Sequence, residues 1–295
     1  MRHPLLSGLA LYLVLALGGC QASLPPLPGW QSTEGREHAQ LGHIKDLASG
    51  QLISPEQLVT QLADAPRVLV GEKHDNPDHH ALQLWLLQAL QGRRAQGSLL
   101  MEMLQPEQQP LVDKLEAQPQ LPADLPKALA WEEGWDWQLY GPLVTQALQH
   151  GIPLLAANLS PGQMRHAYRH PASLPGAQSN APRVKAALLE QVRAGHCGLL
   201  PESQLPAMLA VQQQRDRQMA EQLLKAPQPA LLLAGAYHVR KDLGVPLHLA
   251  DLGAQGRSVV VLLAEVGEEA EAGMADYVWY TAATPEQDYC AQLRK

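Results

Sequence analysis

The chain of 295 residues contains no phenylalanine, and aromatic residues make up only 4% of it. Charged residues are also few, at 17%, and the formal net charge of -7 leaves no excess of Lys and Arg. Such a chain lacks a basic surface for phosphates, which disfavours a nucleic-acid partner. Three cysteines are too few for a disulfide-rich scaffold. Hydrophobic residues still make up 46%, enough for one large domain or two small ones with a core built mainly of Leu, Val and Ala.

Long apolar stretches are also scarce. The N-terminal stretch, residues 5–17, has 13 residues and follows Arg2 and His3, which is typical of a secretory signal and too short to span a bilayer. It ends in Leu-Gly-Gly-Cys at residues 17–20, a sequence that resembles the lipobox of bacterial lipoproteins. We therefore expect a signal peptide at 1–19 and a lipid on Cys20. Gln21 is not Asp, which indicates the outer membrane, on its periplasmic or cell-surface side. An ordinary secreted protein is the alternative.

The mature chain is expected to begin with a tether. Residues 20–40 include the proline-rich stretch 24–29, which predicts a stiff, extended segment between a lipid anchor and a domain at 41–290. In an oxidising compartment, Cys197 and Cys290 are free to form a disulfide, but two isolated thiols are equally consistent with the sequence.

Short apolar stretches without polar alternation predict strands buried on both faces. They occur at 67–70, 98–101, 153–157, 230–234 and 258–263, and a sixth strand is expected at 276–281 as an antiparallel edge. Amphipathic helical patterns separate most of them, which predicts an α/β fold with a mostly parallel sheet flanked by helices. Residues 161–226 show no strand pattern, and we expect a smaller all-helical insertion or lid there.

Polar side chains follow several of these strands. Glu72 and His74 come after the first strand, Glu102 after the second, Asn158 after the third and His238 after the fourth. Because parallel strands end at one edge of a sheet, we expect these groups to meet in one crevice. The alternative is that they are polar because loops contact water.

The first of these loops leads into a helix with two more histidines. Asn76 suits the N-cap and Pro77 the first helical position, which places His79 and His80 in the first turn. The helix dipole lowers the basicity of imidazoles there, and neutral imidazole is the form that binds metals. Capping or solvent exposure explains them equally well. Glu72 and His74 are candidates for metal ligands or for an acid–base pair.

Four of the aromatic residues lie within ten positions: Trp131, Trp135, Trp137 and Tyr140. They are candidates for a flat wall against a large planar ligand, with the Tyr140 phenol as an iron ligand. Packing between a helix and the sheet is the alternative.

One arginine falls on an apolar helical stripe. Arg215 shares its face with Met208, Val211 and Met219. A buried guanidinium needs an acceptor, and Glu72, Glu102 or a ligand carboxylate would serve. The alternative is a surface ion pair with Asp216 or Glu221.

Taken together, these motifs resemble the ChaN-like haem-binding lipoprotein family, which belongs with the Tiki, TraB and erythromycin-esterase-like proteins. The similarity extends over residues 40–290. It rests on residues 71–77 (GEKHDNP), 135–140 (WDWQLY), 196–198 (HCG), 215–216 (RD), 219–220 (MA), 235–238 (GAYH) and 244–246 (GVP). The resemblance implies an outer-membrane lipoprotein that binds b-type haem in a homodimer with two stacked haems. It further implies contact with haem-uptake machinery and a role in haem or iron uptake. The sequence has no CxxCH motif, so any haem is expected to be held non-covalently.

The resemblance leaves the iron ligand open, because Tyr237 stands where a small residue is expected between Gly235 and His238. Tyr140 and His238 are the first candidates. Tyr168 and Tyr237 also remain candidates for the iron ligand. His74, His79 and His80 are further candidates for haem contacts, and Arg215 or Arg240 for the propionates. The rival function is a metal-dependent or acid–base hydrolase, an esterase or peptidase, that uses Glu72, His74 and His238. A lipoprotein that binds a partner and no ligand is a third possibility.

Overall fold

The computed structural model describes residues 23–293. The expected signal peptide and Cys20 lie outside the described residues. Within the part that is described, none of the helices is both long and apolar enough to cross a membrane.

The described residues form one eight-stranded sheet in the order β2-β1-β8-β7-β3-β6-β4-β5. The strands are β1 (Ile44–Asp46), β2 (Leu52–Ile53), β3 (Arg67–Glu72), β4 (Ser98–Met101), β5 (Leu154–Ala156), β6 (Ala230–Gly235), β7 (Ser258–Glu265) and β8 (Tyr277–Thr281). All pairs from β8 to β5 are parallel, and β1 pairs antiparallel with both β2 and β8. The α/β fold with a mostly parallel sheet is therefore confirmed.

The sixth strand expected at 276–281 is present as β8, but its placement as an antiparallel edge is wrong. β8 is an inner strand, because it pairs parallel with β7 on one side and antiparallel with β1 on the other. β1 and β2 have three and two residues, too short to show a hydrophobic period, so the sequence did not reveal the strands that cover this edge.

Helices cover both faces of the sheet. They are α1 (Pro55–Ala63), α2 (Pro77–Gln91), α3 (Gln109–Glu116), α4 (Leu125–Ala128), α5 (Trp137–Gln149), α6 (Pro161–Arg169), α7 (Pro182–Gly195), α8 (Leu205–Lys225), α9 (Ala236–Val239), α10 (Val245–Asp251) and α11 (Tyr289–Leu293). Successive residues of a strand point to opposite faces. Val68 accordingly joins the core beneath α2 and α5, whereas Leu69 joins the core beneath α8 and α10.

The segment from 161 to 225 contains α6, α7, α8 and a short 3₁₀ turn, with no strand in that range. Both α6 and α7 pack against α8. A disulfide between Cys197 and Cys290 ties the turn after α7 to α11, with the two Cα atoms 5.7 Å apart. The sequence had left this pairing open.

The proline-rich stretch does not stand free of the domain. The Trp85 indole N–H on α2 donates to the carbonyl of Pro25 at 2.9 Å, and Leu24 packs against the core. The backbone N–H groups of Gln31 and Ser32 donate to the Asp78 carboxylate at 2.6 and 3.1 Å. From residue 24 onwards, the expected tether is thus a strap along α2, because apolar contact and charge-assisted hydrogen bonds hold it there.

Candidate functional site

A cavity of about 310 Å³ opens at the edge where β3 and β6 end. It is lined by Glu72, Lys73, His74, Gln191, Gly235, Ala236, Tyr237, His238, Leu263 and Glu268. A second cavity of about 280 Å³ adjoins it and is also lined by Tyr237, together with Arg240 and Met274. The structure thus brings Glu72, His74 and His238 to one opening, as the order of strands and polar residues predicted.

The pairing of β3 with β6 explains this convergence. The register places Glu72 opposite Gly235, so the segments that follow β3 and β6 leave the sheet side by side. The His74 ring lies against Gly235. A Cβ atom at this glycine would lie 2.9 Å from both Cε1 and Nε2 of the ring. The absence of a side chain at position 235 therefore allows the His74 ring to lie directly against the end of β6.

A methyl group at position 235 tests this contact. We expect Gly235→Ala to push the half-exposed His74 ring away from Glu72 and to lower the pKa of His74. The cost in unfolding free energy should be about 1 kcal/mol, the lower end of the range for overpacking, because the ring is free to move outward. Histidine NMR titration and urea unfolding measure the two effects. Gly134→Ala is the control, since a Cβ there meets nothing within 4 Å. An unchanged His74 pKa in Gly235→Ala would contradict the contact between the His74 ring and Gly235.

One polar group at the cavity is centred on Glu72, whose side chain is buried. Its Oε1 atom lies 2.7 Å from His74 Nδ1 and accepts from the Tyr140 hydroxyl at 2.9 Å. Burial opposes the charge of His74, but the Glu72 carboxylate outweighs it and raises the His74 pKa. Burial, together with Glu72, raises the pKa of Tyr140 far above its ordinary value. Tyr140 therefore stays a neutral donor that orients Glu72.

The second polar group is centred on Glu102, which follows β4 and is buried. The Arg215 guanidinium donates to its Oε1, the Gly235 N–H donates to Oε2 at 2.7 Å, and His238 Nε2 lies 3.4 Å away. Burial alone would raise the pKa of Glu102, yet His238 and Arg215 hold it well below its usual range. Arg215 also donates to Asn158 at 3.1 Å. It is therefore a partly buried cation that pairs with the buried Glu102.

His238 is held between two carboxylates. Its Nδ1 contacts Asp216 on α8, and its Nε2 faces Glu102. Burial opposes its charge, but Glu102 and Asp216 raise its pKa to about 9. His238 is thus a charged and enclosed imidazolium at neutral pH, with no free ring nitrogen for iron.

The raised pKa of His238 predicts a loss of stability in alkali. A folded pKa of about 9, above the ordinary value of about 6.5, stabilises the fold fully below pH 6.5. That contribution is lost as the pH rises through 9. The lowered pKa of Glu102 acts in the opposite sense, because its contribution is lost on acidification. We expect the melting temperature to be highest near pH 5 to 6.5, and we expect His238→Gln to remove most of the alkaline decline. If the melting temperature of His238→Gln fell as steeply in alkali as that of the wild type, His238 would not be the source of the decline.

Three other predicted haem contacts lie away from the cavity or beneath it. His79 is buried, accepts from the Lys73 N–H at 2.9 Å and contacts the Thr281 hydroxyl at 2.9 Å. Its pKa is lowered by burial, then by His80 and Lys73, so it is a neutral structural residue. His80 is buried behind Glu72 and contacts the carbonyl of His74 at 3.0 Å. Tyr168 is 36% exposed on α6 and does not line the cavity.

The two residues expected first as iron ligands are enclosed as well. Tyr140 is 1% exposed and donates to Glu72, and His238 is engaged on both nitrogens. Tyr237 is 49% exposed and lies where the two cavities meet. The Arg240 guanidinium lies 5.7 Å from the centre of its ring and pairs with Asp242. The sequence could not separate these tyrosines, because burial depends on the tertiary packing around α5 and α9.

The tryptophan cluster forms a wall beside the site. The Trp135 ring lies edge-on to His74 and Tyr140, at 4.9 and 5.8 Å between centres. Trp131 packs edge-on against Trp137 at 5.0 Å and donates its indole N–H to the carbonyl of Trp135. Packing therefore accounts for most of the cluster, and an open groove lined by the three indoles remains on its outer side.

The sequence did not identify Asp216 as part of the site, since it was weighed only as a surface partner of Arg215. A signal was present: Asp216 lies on the buried stripe of α8 with Gln213, Ala220 and Leu223. Lys73, Gln191 and Glu268 also line the cavity. They come from a loop, from α7 and from a turn after β7, and no local pattern connects them.

Comparison with known proteins gives a consistent result. The family model described as haem-binding uptake, Tiki superfamily, ChaN matches residues 58–249. A solved structure described as cofacial heme binding to ChaN of Campylobacter jejuni is 32% identical, with a TM-score of 0.75, and the match covers 80% of this chain and 95% of that chain. A comparison with curated protein sequences found no significant match.

Two weaker structural likenesses carry no argument about function. An erythromycin esterase mutant in its open conformation is 12% identical, with a TM-score of 0.45, covering 76% of this chain and 77% of that chain. The effector domain RRSP of a Vibrio vulnificus MARTX toxin is 15% identical, with a TM-score of 0.42, covering 80% of this chain and 39% of that chain. The family model and the Campylobacter structure together cover most of the domain, and on that basis the chain belongs to the haem-binding uptake family ChaN of the Tiki superfamily.

Proposed function

We propose that this protein binds haem non-covalently at the joined cavities and serves haem or iron uptake as an outer-membrane lipoprotein anchored through Cys20. The observation that carries the proposal is the exposed phenol of Tyr237 at the junction of the two cavities, in a chain of the ChaN family. Tyrosine oxygen is an established protein ligand of haem iron.

The residues around Tyr237 fit the chemistry of haem. Leu263, Ala236 and Met274 supply apolar surface for a porphyrin face. Lys73 and Arg240 supply positive charge at the rim for the propionates, and His74 lies beside them. Bound haem would supply a ferric Lewis acid for the phenol oxygen, while the protein side chains orient the ring and pair with its carboxylates.

The size of the site supports a homodimer. Cavities of about 310 and 280 Å³ lie at and just below the lower limit of the range for drug-sized ligands, about 300 to 1,000 Å³. A porphyrin is larger than most such ligands, so one protomer covers only one of its faces. A second copy that presents the same cavity would enclose two stacked haems. The description of the Campylobacter structure names cofacial heme binding.

Titration of the purified protein with hemin tests this function. We expect a shifted Soret band that saturates at one hemin per chain, and sedimentation velocity should show a dimer when hemin is present. Bovine serum albumin and hemin in buffer alone serve as references for unspecific binding. The absence of a saturable shift at micromolar protein would contradict the proposal.

A second candidate function, acid–base hydrolysis, is favoured by one observation. Two imidazole–carboxylate pairs, His74 with Glu72 and His238 with Asp216, lie at the same cavity. Such pairs activate water or protonate a leaving group. In the described part of the chain, no group of three His, Cys, Asp or Glu side chains is arranged to hold a metal ion. A panel of ester and peptide substrates, compared between the wild type and Glu72→Gln, tests this function; turnover that the variant retains in full would contradict it.

A further inference from the structure

The C-terminal segment, residues 282–290, is attached to one side of the cavity. The Lys73 ammonium, at the cavity lining, donates to the Thr284 hydroxyl at 2.6 Å. The Tyr289 hydroxyl donates to the carboxylate of Asp75, two positions after Lys73. These two contacts fix the C-terminal segment to the loop that follows β3.

A second side of the cavity belongs to the helix pair α7 and α8. Gln191, near the end of α7, lines the cavity, and the turn at 196–204 joins the two helices. The apolar cluster of α7 lies nearer the start of that helix, where Val184 and Leu188 pack with Leu243. This cluster anchors the first half of α7, and the turn, here called the tip, lies beyond it.

The disulfide joins these two sides. Cys197 lies in the tip, six positions after Gln191, and Cys290 directly follows Tyr289. The bond therefore connects the tip to the C-terminal segment, and through that segment to the loop after β3, across 93 positions of sequence. Both cysteines are half-buried, so a reductant in solution can reach the bond.

We infer that the Cys197–Cys290 disulfide is a redox latch on the cavity. The oxidised latch holds the tip against the C-terminal segment and keeps the mouth narrow, whereas reduction releases the tip and widens the mouth. The inference rests on the proposed haem binding and deepens it. With the tip tied down, the cavities are at and just below the lower limit for drug-sized ligands, so a porphyrin exchanges faster once the tip is free.

The reductant of such a latch is a dithiol, the class that thiol–disulfide oxidoreductases supply. One thiolate of the dithiol attacks a sulfur of the disulfide, forms a mixed disulfide and expels the other cysteine as a thiolate, which takes up a proton. The second thiol of the reductant then attacks the mixed disulfide and releases the remaining cysteine. Two electrons and two protons pass to the latch, which ends as two thiols, and the reductant ends as a disulfide.

Hydrogen–deuterium exchange without hemin tests the movement of the tip. The chain that starts at residue 20 and carries Cys20→Ser contains every described residue and no cysteine besides the pair. Dithiothreitol should reduce the folded protein and raise exchange about tenfold or more at 189–204 and 284–291, with β3 and β6 unchanged. Resistance of the folded protein to reduction, unchanged exchange at the tip, or an equal rise in β3 and β6 would overturn the inference.

The rate of hemin release tests the consequence for the ligand. Transfer of hemin to excess apomyoglobin should be about tenfold faster after reduction and slow again after reoxidation. Cys197→Ser combined with Cys290→Ser should release hemin fast with or without dithiothreitol, which controls for direct action of the thiol on hemin. Tyr289→Phe should speed release with the disulfide intact, because it loosens the C-terminal segment from Asp75.

Equal release from the oxidised and the reduced protein would overturn the inference, since the disulfide would then stabilise the fold without controlling the cavity. If the protein bound no hemin, the proposed function would fail, and the exchange experiment would still decide whether the disulfide holds the tip in place.

Discussion

Tyr237→Phe is expected to weaken hemin binding by about 100-fold or more and to abolish the charge-transfer band of a phenolate bound to ferric iron. The substitution removes one oxygen atom from a half-exposed ring and leaves its apolar surface in place. The fold should tolerate it, because the phenol lies at the junction of two open cavities. Hemin titration followed by absorption, with equilibrium unfolding on the same sample, measures both effects.

Tyr140→Phe is the matched control, since it makes the same chemical change at a phenol that is buried against Glu72. Here we expect the hemin spectrum to persist and the free energy of unfolding to fall by about 1.5 to 3 kcal/mol, the range for hydrogen bonds to charged groups. The opposite pattern, in which Tyr140→Phe loses the band and Tyr237→Phe keeps it, would reverse the assignment of the iron ligand.

Arg215→Met is expected to lower the free energy of unfolding by about 3 to 5 kcal/mol, the cost of removing one partner of a buried ion pair. Glu102 is buried, and Arg215 is one of the two cations that keep it ionised. Methionine retains apolar bulk on α8 but leaves the carboxylate with His238 alone. Urea unfolding at pH 6, with hydrogen exchange of β4 and β6, measures the loss.

Arg217→Met provides the comparison for this variant. Arg217 lies two positions further along α8 and pairs with Glu221 one turn away. Pairs of this kind near the surface contribute about 0 to 1 kcal/mol, so the loss should be several times smaller. Adding Glu102→Gln to Arg215→Met should restore part of the stability, because it removes the unpaired buried charge. If the two arginine variants lost equal amounts of unfolding free energy, Arg215 would not be the cation that stabilises the buried charge of Glu102.

The sequence allowed the core of the fold to be predicted for a specific physical reason. Strands buried on both faces are apolar without alternation, and β3, β4, β5, β6 and β7 all follow this pattern. Their parallel arrangement places the residues after each strand at one edge. The partners of β8 could not be predicted, because a buried stretch shows only that both faces are covered.

The roles of individual site residues were harder to assign, since they depend on which way a loop turns. His74, His79 and His80 lie within seven positions, yet only His74 reaches the cavity, whereas His79 turns inward to Thr281. Tyr140 and His238 carry the right chemistry for iron, but the packing of α5 and α8 encloses both side chains. The exposure of Tyr237 follows from its place in α9, a four-residue helix that begins directly after β6 and that the sequence pattern does not reveal.

The position of the iron atom in crystals of the hemin-loaded protein, located by anomalous scattering, tests the central claim most directly. We predict iron within bonding distance of the Tyr237 phenol oxygen, above Ala236 and Leu263 and beside His74, with a second iron across a two-fold axis. Iron bound at the tryptophan groove, at Tyr168 or at any position remote from the joined cavities would contradict the account.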